Sequence, residues 1–349
     1  MTNRTNFILK AAADLFPGYF ALVMATGIIS IAGYLLEMTT IAVVLLVVNI
    51  VAYALLWLLL LIRLSMFFSR IKDDINNHVR GPGFFTVVAG TSVLGSELFI
   101  VTDQFRIATL LWLLGIILWV VIMYSFFTAM TVRENKPSIA DGLNGAWLLA
   151  VVATQSISVL GTLLADRFGT AREPVLFFTL CMFLLGAMLY IPLITLIFYR
   201  FTFVNITTTS LTPPYWINMG AVAITTLAGA RLIIAAPDWL VLNDFMPFLK
   251  GFSLFFWAAG TWWIPLLLIL GFWRHVYKRF PLRYDPQYWG MVFPLGMYTA
   301  CTIQLSRAIN FPPLLVIPRY FIYLALAGWL VVSFGLIYSL LFRNRRTAA

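Results

Sequence analysis

Charged residues are scarce in this 349-residue chain, at 10 % of the sequence, whereas soluble domains carry about a quarter. Hydrophobic residues make up 62 %, and these proportions exclude an ordinary soluble domain. The apolar runs reach the roughly 20 residues that a transmembrane helix needs. They are too continuous for the alternating strands of a membrane β-barrel. The composition therefore predicts an all-α integral membrane protein.

Metal-binding and catalytic side chains are also few. Cys181 and Cys301 lie in apolar runs, and the two histidines, His78 and His275, lie in basic loops. Two cysteines without neighbouring histidines predict neither a disulfide framework nor a metal site. The apolar runs hold no Ser/His, Asp/Asp or His/Glu pair, and the chain has no nucleotide-binding loop. We therefore expect no enzyme activity, no cofactor and no nucleotide-driven pumping.

Ten apolar runs are long enough to span a membrane. They cover residues 17–36, 40–62, 83–101, 106–130, 144–164, 174–200, 215–235, 250–273, 288–308 and 319–342. No signal peptide stands out before the first run, so we interpret that run as a retained span. The whole chain, residues 1–349, is predicted to form a single membrane domain.

Basic residues are distributed unevenly between the two sides of the membrane. When the spans alternate in direction, 16 of the 23 Lys and Arg residues fall on the side of the two termini. The positive-inside rule then predicts that both termini are cytoplasmic and that the protein lies in the cytoplasmic membrane of the cell. The same asymmetry accounts for the net charge of +10 without a nucleic-acid partner.

The odd and even spans differ in composition. Loop lengths pair the spans into five helical hairpins, and the odd spans start at a loose period of about 70 residues, typical of a repeat. The odd spans hold 12 glycines against 7 in the even spans, whereas the even spans hold 8 of the 12 tryptophans. Small and polar residues favour helix contacts or a watery cavity, and bulky apolar residues face lipid. We expect odd helices enclosed by even helices, and the small residues also fit the alternative that they only permit close packing.

Each odd span carries hydroxyls, amides and glycines on one helical face. The resulting pore-lining candidates are Tyr19, Thr26, Ser30, Thr86, Gly90, Gln155, Ser158, Asn218, Thr225, Met297 and Gln304. Five such stripes facing one another would form a narrow, weakly polar conduit.

Three charged residues lie near the outer ends of odd spans, namely Glu97, Arg231 and Arg307. One interpretation makes the arginines an outer vestibule that attracts anions, with Glu97 as their partner or as a proton-coupling carboxylate. The alternative is that the long side chains reach the interface between lipid and water.

Three segments resemble the signatures of one known family. They are FPGYFALVMATGIIS at 16–30, PPYWINMGAVAITTLAGARL at 213–232 and YWGMVFPLGMYTACTIQL at 288–305. The family contains tellurite-resistance proteins, C4-dicarboxylate (malic acid) transporters, sulfite exporters and slow-type anion channels. The resemblance extends over the chain in span number and order. It implies ten helices in five hairpins around a quasi-fivefold central pore, and a homotrimer with one pore in each subunit.

The resemblance also implies a gate. In this family a phenylalanine on the ninth span occludes the pore, and in this chain that residue would be Phe293. Pro294 has no N–H for the carbonyl of Gly290, so we expect a kink there, with Gly290 and Gly296 beside it. A kink directs partial positive charge toward the lumen, and an aromatic constriction closes a pore by excluding water.

Two functional hypotheses follow. The first is an anion channel or channel-like transporter that moves small anions or dicarboxylates across the membrane. The alternative is a proton-coupled secondary carrier that exports or imports C4-dicarboxylate, sulfite or tellurite. A carrier more often needs a carboxylate or histidine near the midplane, and Glu97 sits toward one end of its span. The identity of the anion is open, because one scaffold serves different substrates.

Overall fold

The computed structural model describes residues 2–235 and 239–342, which are helical and contain no strand. The helices are α1 (Thr2–Ala13), α2 (Ala21–Leu35), α3 (Thr39–Met66), α4 (Phe68–Ile75), α5 (Phe85–Thr102), α6 (Phe105–Val132), α7 (Ile139–Gly142), α8 (Leu149–Leu164), α9 (Arg172–Phe203), α10 (Ile217–Ala235), α11 (Leu240–Asp244), α12 (Met246–Phe272), α13 (Trp289–Ala308) and α14 (Val316–Phe342). Arg343, Arg345 and Arg346, which contribute to the predicted charge asymmetry, lie outside the described residues.

Nine helical segments within the described residues are long and apolar enough to cross a membrane. They are Pro17–Leu35, Thr39–Met66, Gly81–Thr102, Phe105–Val132, Gly145–Arg167, Gly169–Phe203, Pro213–Ala235, Met246–Tyr277 and Pro312–Phe342. The predicted ninth span is the 20-residue helix α13, which falls outside this set. It contains Pro294, Gln304 and several hydroxyl residues, and these make it less apolar than the others.

Burial separates the long helices into two groups. In the odd-numbered spans among these nine segments, 78–100 % of the most apolar 18-residue stretch is buried, against 11–44 % in the even-numbered spans. Most residues of α13 are also buried. The prediction that the odd helices are enclosed by the even helices is therefore confirmed. We call α2, α5, α8, α10 and α13 the inner helices, and α3, α6, α9, α12 and α14 the outer helices.

The contacts among the inner helices close on themselves. α2 packs against α5, α5 against α8, α8 against α10, α10 against α13, and α13 against α2. Each inner helix also packs against the outer helix that follows it in the chain, and that outer helix touches the next inner helix as well. The outer helices thus lie in the grooves between neighbouring inner helices and present their bulky apolar side chains outward.

Candidate functional site

A short 3₁₀ turn precedes each inner helix, and we call these five segments the start turns. They are Pro17–Phe20, Gly81–Phe84, Gly145–Leu148, Pro213–Trp216 and Pro286–Tyr288. Four of them carry proline at one of the first two positions, where the missing N–H costs no helical hydrogen bond. Neighbouring start turns touch one another in the same closed order as the inner helices. The N-terminal ends of all five inner helices therefore meet at one level.

A cavity of about 400 Å³ lies at this level, and we call it the wide cavity. Each inner helix contributes one residue to its wall, and these residues are Ala21, Thr86, Leu149, Ile217 and Gly290. One water occupies roughly 10–15 Å³ on this measure, so the wide cavity has room for many waters or a hydrated ion. The positive ends of five helix dipoles converge here, which favours anions electrostatically.

A second cavity lies between the same helices, nearer their C-terminal ends. This narrow cavity has a volume of about 30 Å³ and takes three residues from each inner helix. The first of each set of three are Ile28, Val93, Ser156, Ile224 and Met297. Each lies seven residues after the residue that its helix gives to the wide cavity. Seven residues are about two helical turns, or roughly 10.5 Å, so both cavities lie on the same face of each helix.

The residues between the two cavities on this face form what we call the middle layer. Three positions after the wide-cavity residue, the five helices carry Met24, Ala89, Val152, Gly220 and Phe293. All five are buried and line neither cavity. Phe293 is the aromatic member, with a side chain 0 % exposed. The predicted gate residue thus has the largest side chain in the layer that separates the cavities.

Glycines hold α13 close to its neighbours at this level. A Cβ on Gly220 would lie 2.7 Å from Pro294 Cγ, and a Cβ on Gly296 would lie 2.8 Å from side-chain atoms of Ile28 and Ile29. Pro294 lies inside α13, so the carbonyl of Gly290 lacks its usual partner. The absence of a side chain at Gly220 and Gly296 lets α10 and α2 approach this interrupted part of α13.

The walls of the narrow cavity are mostly apolar. Ser96 and Ser156 line it, but their hydroxyls donate to the carbonyls of Ser92 and Ala153 on their own helices, at 3.0 and 2.8 Å. Among the described lining residues, Arg231 alone carries charge.

At the far end of this cavity, Arg231 on α10 and Gln304 on α13 line the wall. Arg231 Nε and Gln304 Oε1 are buried without a protein partner among the described residues. Arg231 interacts electrostatically with Asp166 and Arg307, and Arg307 itself is exposed. This end of the cavity thus combines one cation with unused hydrogen-bonding groups.

The wide cavity has a more charged rim. Arg80 lines it, and its Nε donates to Asp74 Oδ1 at 2.5 Å. Arg63, which is buried in α3, donates to the other oxygen of Asp74 at 2.7 Å. One carboxylate thus sits between two guanidinium groups, and the cluster keeps a net positive charge. On the opposite wall, Asp285 accepts from the backbone N–H of Gln287 at 2.8 Å.

Several predicted lining residues bind the outer helices instead of facing either cavity. Thr26 accepts from Trp329 Nε1 of α14 at 2.9 Å, and Ser30 donates to the carbonyl of Ala42 in α3 at 2.8 Å. The two predicted residues of α8 turn to α9 in the same way. Gln155 Nε2 donates to the carbonyl of Phe183 at 3.0 Å, and Ser158 to that of Thr179 at 2.7 Å.

The remaining predicted lining residues divide between packing and cavity. Thr86 lines the wide cavity, and Met297 and Gln304 line the narrow one. Gly290, which was predicted at the kink, lines the wide cavity as well. The other four predicted residues line neither cavity. Gly90 packs against Phe20 and Val23, and Thr225 donates to the carbonyl of Ala221 on its own helix. Asn218 is buried without a protein partner among the described residues, and Tyr19 OH lies 3.5 Å from Tyr284 OH. Burial raises the pKa of the Tyr284 hydroxyl, which therefore stays protonated.

Glu97 faces away from both cavities. Its carboxylate accepts from Asn49 Nδ2 of α3 at 2.6 Å, and it lines neither the wide nor the narrow cavity. The predicted partnership of Glu97 with the arginines is therefore replaced by a neutral amide partner.

Sequence reasoning missed most of the cavity walls. Ile28, Val93, Ser156 and Ile224 are mainly apolar and carry no chemical signal of their own. Alignment of the five start turns would have found them, because the distance from turn to cavity is nearly the same in every inner helix. In the sequence, Arg80 is one of the 16 basic residues on the side of the termini, and no local pattern marks it as a wall residue.

The sequence of this chain has recognisable relatives among known proteins. The sequence model of the family described as "Voltage-dependent anion channel" matches residues 14–337. An uncharacterised membrane protein of Mycobacterium tuberculosis is 38 % identical over 154 residues, covering 44 % of this chain and 77 % of that protein.

Two functionally named relatives match more of the chain at lower identity. A sulfite efflux pump of Trichophyton rubrum is 21 % identical, covering 92 % of this chain and 90 % of the pump. The malic acid transport protein of Schizosaccharomyces pombe is 21 % identical, covering 84 % of this chain and 70 % of that protein. Because the family model covers most of the chain, this multi-pass membrane protein belongs to the voltage-dependent anion channel family.

Proposed function

We propose that this protein is an anion channel or channel-like transporter that moves small anions or dicarboxylates across the cytoplasmic membrane. The wide and narrow cavities are the two halves of its path, and the middle layer closes it at Phe293. The observation that carries the proposal is the alignment of two cavities on one face of all five inner helices, with a two-turn offset in each. Relatives named for sulfite efflux and malic acid transport support the choice of anion as substrate.

The proposed membrane arrangement has ten spans in five hairpins, with α13 as the ninth span and the whole chain as one membrane domain. The inner helices surround a quasi-fivefold pore. Because α13 is buried among other helices, it needs less apolar surface than a helix that faces lipid. The charge asymmetry of the loops supports a cytoplasmic position for both termini. The wide cavity then opens toward the cytoplasm, and Arg231 and Arg307 lie on the outer side.

The electrostatics of the path suit an anion. The helix N-termini provide positive potential at the wide cavity, where the net positive charge of the Arg63, Asp74 and Arg80 cluster offsets Asp285. Arg231 provides positive potential at the end of the narrow cavity. Formal charge is absent from the middle layer, where it would be costly in the bilayer. An anion would therefore meet favourable potential at both ends and a short, dry barrier between them. The lipid bilayer and a homotrimeric assembly, with one path in each subunit, complete the proposal.

A secondary carrier is the second candidate, and one observation favours it. Glu97 is a fully buried carboxyl group next to Ser96 of the narrow-cavity wall, and its partner is the neutral amide of Asn49. Such a group can bind and release a proton. As a carrier, the protein would export or import C4-dicarboxylate, sulfite or tellurite together with protons.

Reconstitution into liposomes tests both candidates. Fluxes of chloride, nitrate, malate and sulfite should be measured with potassium and valinomycin setting the voltage, and with or without a pH gradient. A channel gives anion current that follows voltage and does not saturate at moderate concentration. A proton-coupled carrier gives saturable flux driven by the pH gradient. Equal permeability to sodium, which valinomycin does not carry, and to the anions would contradict both candidates.

A further inference from the structure

Glu97 lies where α2, α3 and α5 meet. Its side chain is 0 % exposed, and Asn49 Nδ2 donates to its Oε2 atom at 2.6 Å. Gly27 of α2 lies opposite the pair. A Cβ on Gly27 would lie 2.7 Å from Asn49 Nδ2 and 3.1 Å from Glu97 Oε2. The carboxyl and the amide thus occupy the space that a side chain at position 27 would fill.

The pair has two buried acceptors and too few donors. Glu97 Oε1 and Asn49 Oδ1 have no protein partner among the described residues. A carboxylate offers acceptors only, whereas a carboxylic acid also carries one O–H donor. An ionised carboxylate in such a place is costly unless a cation or several donors compensate it. Protonation removes the charge and supplies the missing donor in one step.

Charged groups on the surrounding helices face elsewhere. Only neutral groups face the carboxyl from α2 and α3 in the described structure: Gly27, Ser30 and Asn49. The titratable or charged side chains of α2 with its start turn, α3 and α6, the elements packed around this site, are Tyr19, Tyr34, Tyr53, Arg63, Arg106 and Tyr124. α8, which also packs on α5, contains none.

None of these side chains is recorded in contact with the carboxyl of Glu97 in the described structure. Tyr53 lies 3.0 Å from the Thr91 hydroxyl, and Arg63 is engaged by Asp74. Tyr19 lies near Tyr284 at the wide-cavity end, and the other three are exposed.

We propose that Glu97 and Asn49 form a proton-binding site in which the carboxyl of Glu97 is protonated while α3 is packed on α2 and α5. The proton comes from hydronium, forms an O–H bond at Glu97 and leaves water behind. Deprotonation returns it to water and leaves a buried anion, which separates α3 from the inner helices or draws water into the site. No other reactant is needed.

The proton site lies directly behind the wall of the narrow cavity. Ser96, next to Glu97, and Ile28, next to Gly27, both line that cavity. Val93, one turn before Glu97, lines it too, and its Cγ1 would lie 2.8 Å from a Cβ on Gly27. α3 packs on both α2 and α5, so its displacement, or water entering between it and these helices, shifts residues of the wall. This coupling of protons to anion flux rests on the proposed function, whereas proton binding does not.

Infrared difference spectroscopy tests proton binding directly. Wild-type protein in liposomes at neutral pH is expected to show the C=O stretch of a buried, protonated carboxyl group, shifted by deuterium exchange. Glu97→Gln should lose this band, and the control Glu37→Gln, which changes an exposed acid at the end of α2, should keep it. Asn49→Ala should shift the band, because it removes the hydrogen bond. The same spectrum in wild type and Glu97→Gln would overturn the proposal.

Flux measurements on the same samples test the coupling. Glu97→Gln is expected to lose the part of the anion flux that depends on the pH gradient. Undiminished dependence on pH in Glu97→Gln would overturn the coupling. A wild-type protein that shows the infrared band but carries no anion would instead refute the proposed function and leave the proton site standing. Gel filtration shows whether each variant is folded. Asn49→Ala keeps the carboxyl of Glu97 and therefore shows what damage at this site does without loss of the acid.

Discussion

Phe293 and Gly220 face each other where α13 packs on α10. A Cβ placed on Gly220 would lie 3.5 Å from Phe293 Cε1 and 2.7 Å from Pro294 Cγ. Phe293, the proposed gate, and Pro294 therefore both pack against Gly220, the one position of the middle layer that has no side chain. The orientation of Phe293 depends on that space.

Phe293→Ala should increase anion flux, because it removes the largest side chain between the two cavities. We expect an increase of roughly tenfold or more, since a dewetted constriction that fills with water loses most of its barrier. Liposome flux at fixed voltage measures it.

Phe256→Ala is the matched control for this change. Phe256 is also 0 % exposed but lies on the outer helix α12. Both variants should lose about 3–5 kcal/mol of stability, and only Phe293→Ala should change the flux. Unchanged or lower flux at normal membrane abundance would remove Phe293 from the gate.

Gly220→Ala should destabilise the protein by about 1–3 kcal/mol, the usual effect of overpacking. The new methyl group would overlap the ring of Pro294, which has little freedom to move. Gly251→Ala is the matched control, because nothing lies within 4 Å of a Cβ at that helical position. It should be neutral or stabilising by up to about 1 kcal/mol. Thermal unfolding in detergent compares the two, and equal melting temperatures would contradict the close packing.

Arg231→Gln should lower anion flux by about tenfold at low ionic strength, at the lower end of electrostatic focusing effects. Arg231→Lys should retain most of the flux, because it keeps the charge at the end of the narrow cavity. Raising the salt concentration should narrow the difference between Arg231→Gln and wild type. Equal loss of anion and cation leakage in Arg231→Gln would indicate structural damage in place of lost attraction.

Gln155 and Ser156 are neighbours with different expected roles. Gln155→Leu removes the bond to the Phe183 carbonyl and should cost about 0.6–1.7 kcal/mol, as for hydrogen bonds between membrane helices, with little change in flux. Ser156→Leu adds bulk to a cavity of about 30 Å³ and should reduce flux strongly. The pair is measured by unfolding and by liposome flux. A larger flux defect in Gln155→Leu would show that Gln155 faces the path.

His78 should make stability depend on pH. Partial burial and the charges of Arg133 and Lys136 lower its pKa from the ordinary 6.5. The unfolded chain therefore binds this proton more readily than the folded one, and the melting temperature should fall as the pH drops below about 6.5. His78→Gln should reduce that fall, and Lys136→Gln should reduce it in part. A fall of the same size in His78→Gln would assign the effect to other groups.

The sequence predicts the helices well because a lipid-spanning backbone must bond to itself, and long apolar runs leave few alternatives. The division into inner and outer helices also follows from glycine and tryptophan content. Composition does not predict which face of each inner helix points toward the cavities. Thr26 and Gln155 are polar, yet they bind outer helices, because a hydroxyl or amide in an apolar layer gains most from a bond to a neighbouring helix.

The residues that line the narrow cavity cannot be predicted from their chemistry either. Ile28 and Val93 line the narrow cavity although their chemistry would suit lipid equally well. Only the register relative to the start turns distinguishes them, and that register depends on the packing of five helices far apart in the chain. The sequence marks Glu97 as a charge near the outer end of a span, but its amide partner Asn49 lies 48 residues away on α3, and no local pattern connects them.

The inner helices come from a single chain, and this gives the proposed path a freedom that a pore built from identical subunits lacks. In such a pore, every substitution appears once in each subunit, so charge enters only as complete rings. Here a level of the path can hold one arginine among four uncharged residues, as at Arg231. Selectivity can therefore change by one elementary charge at a time, through single substitutions that leave the other four walls intact.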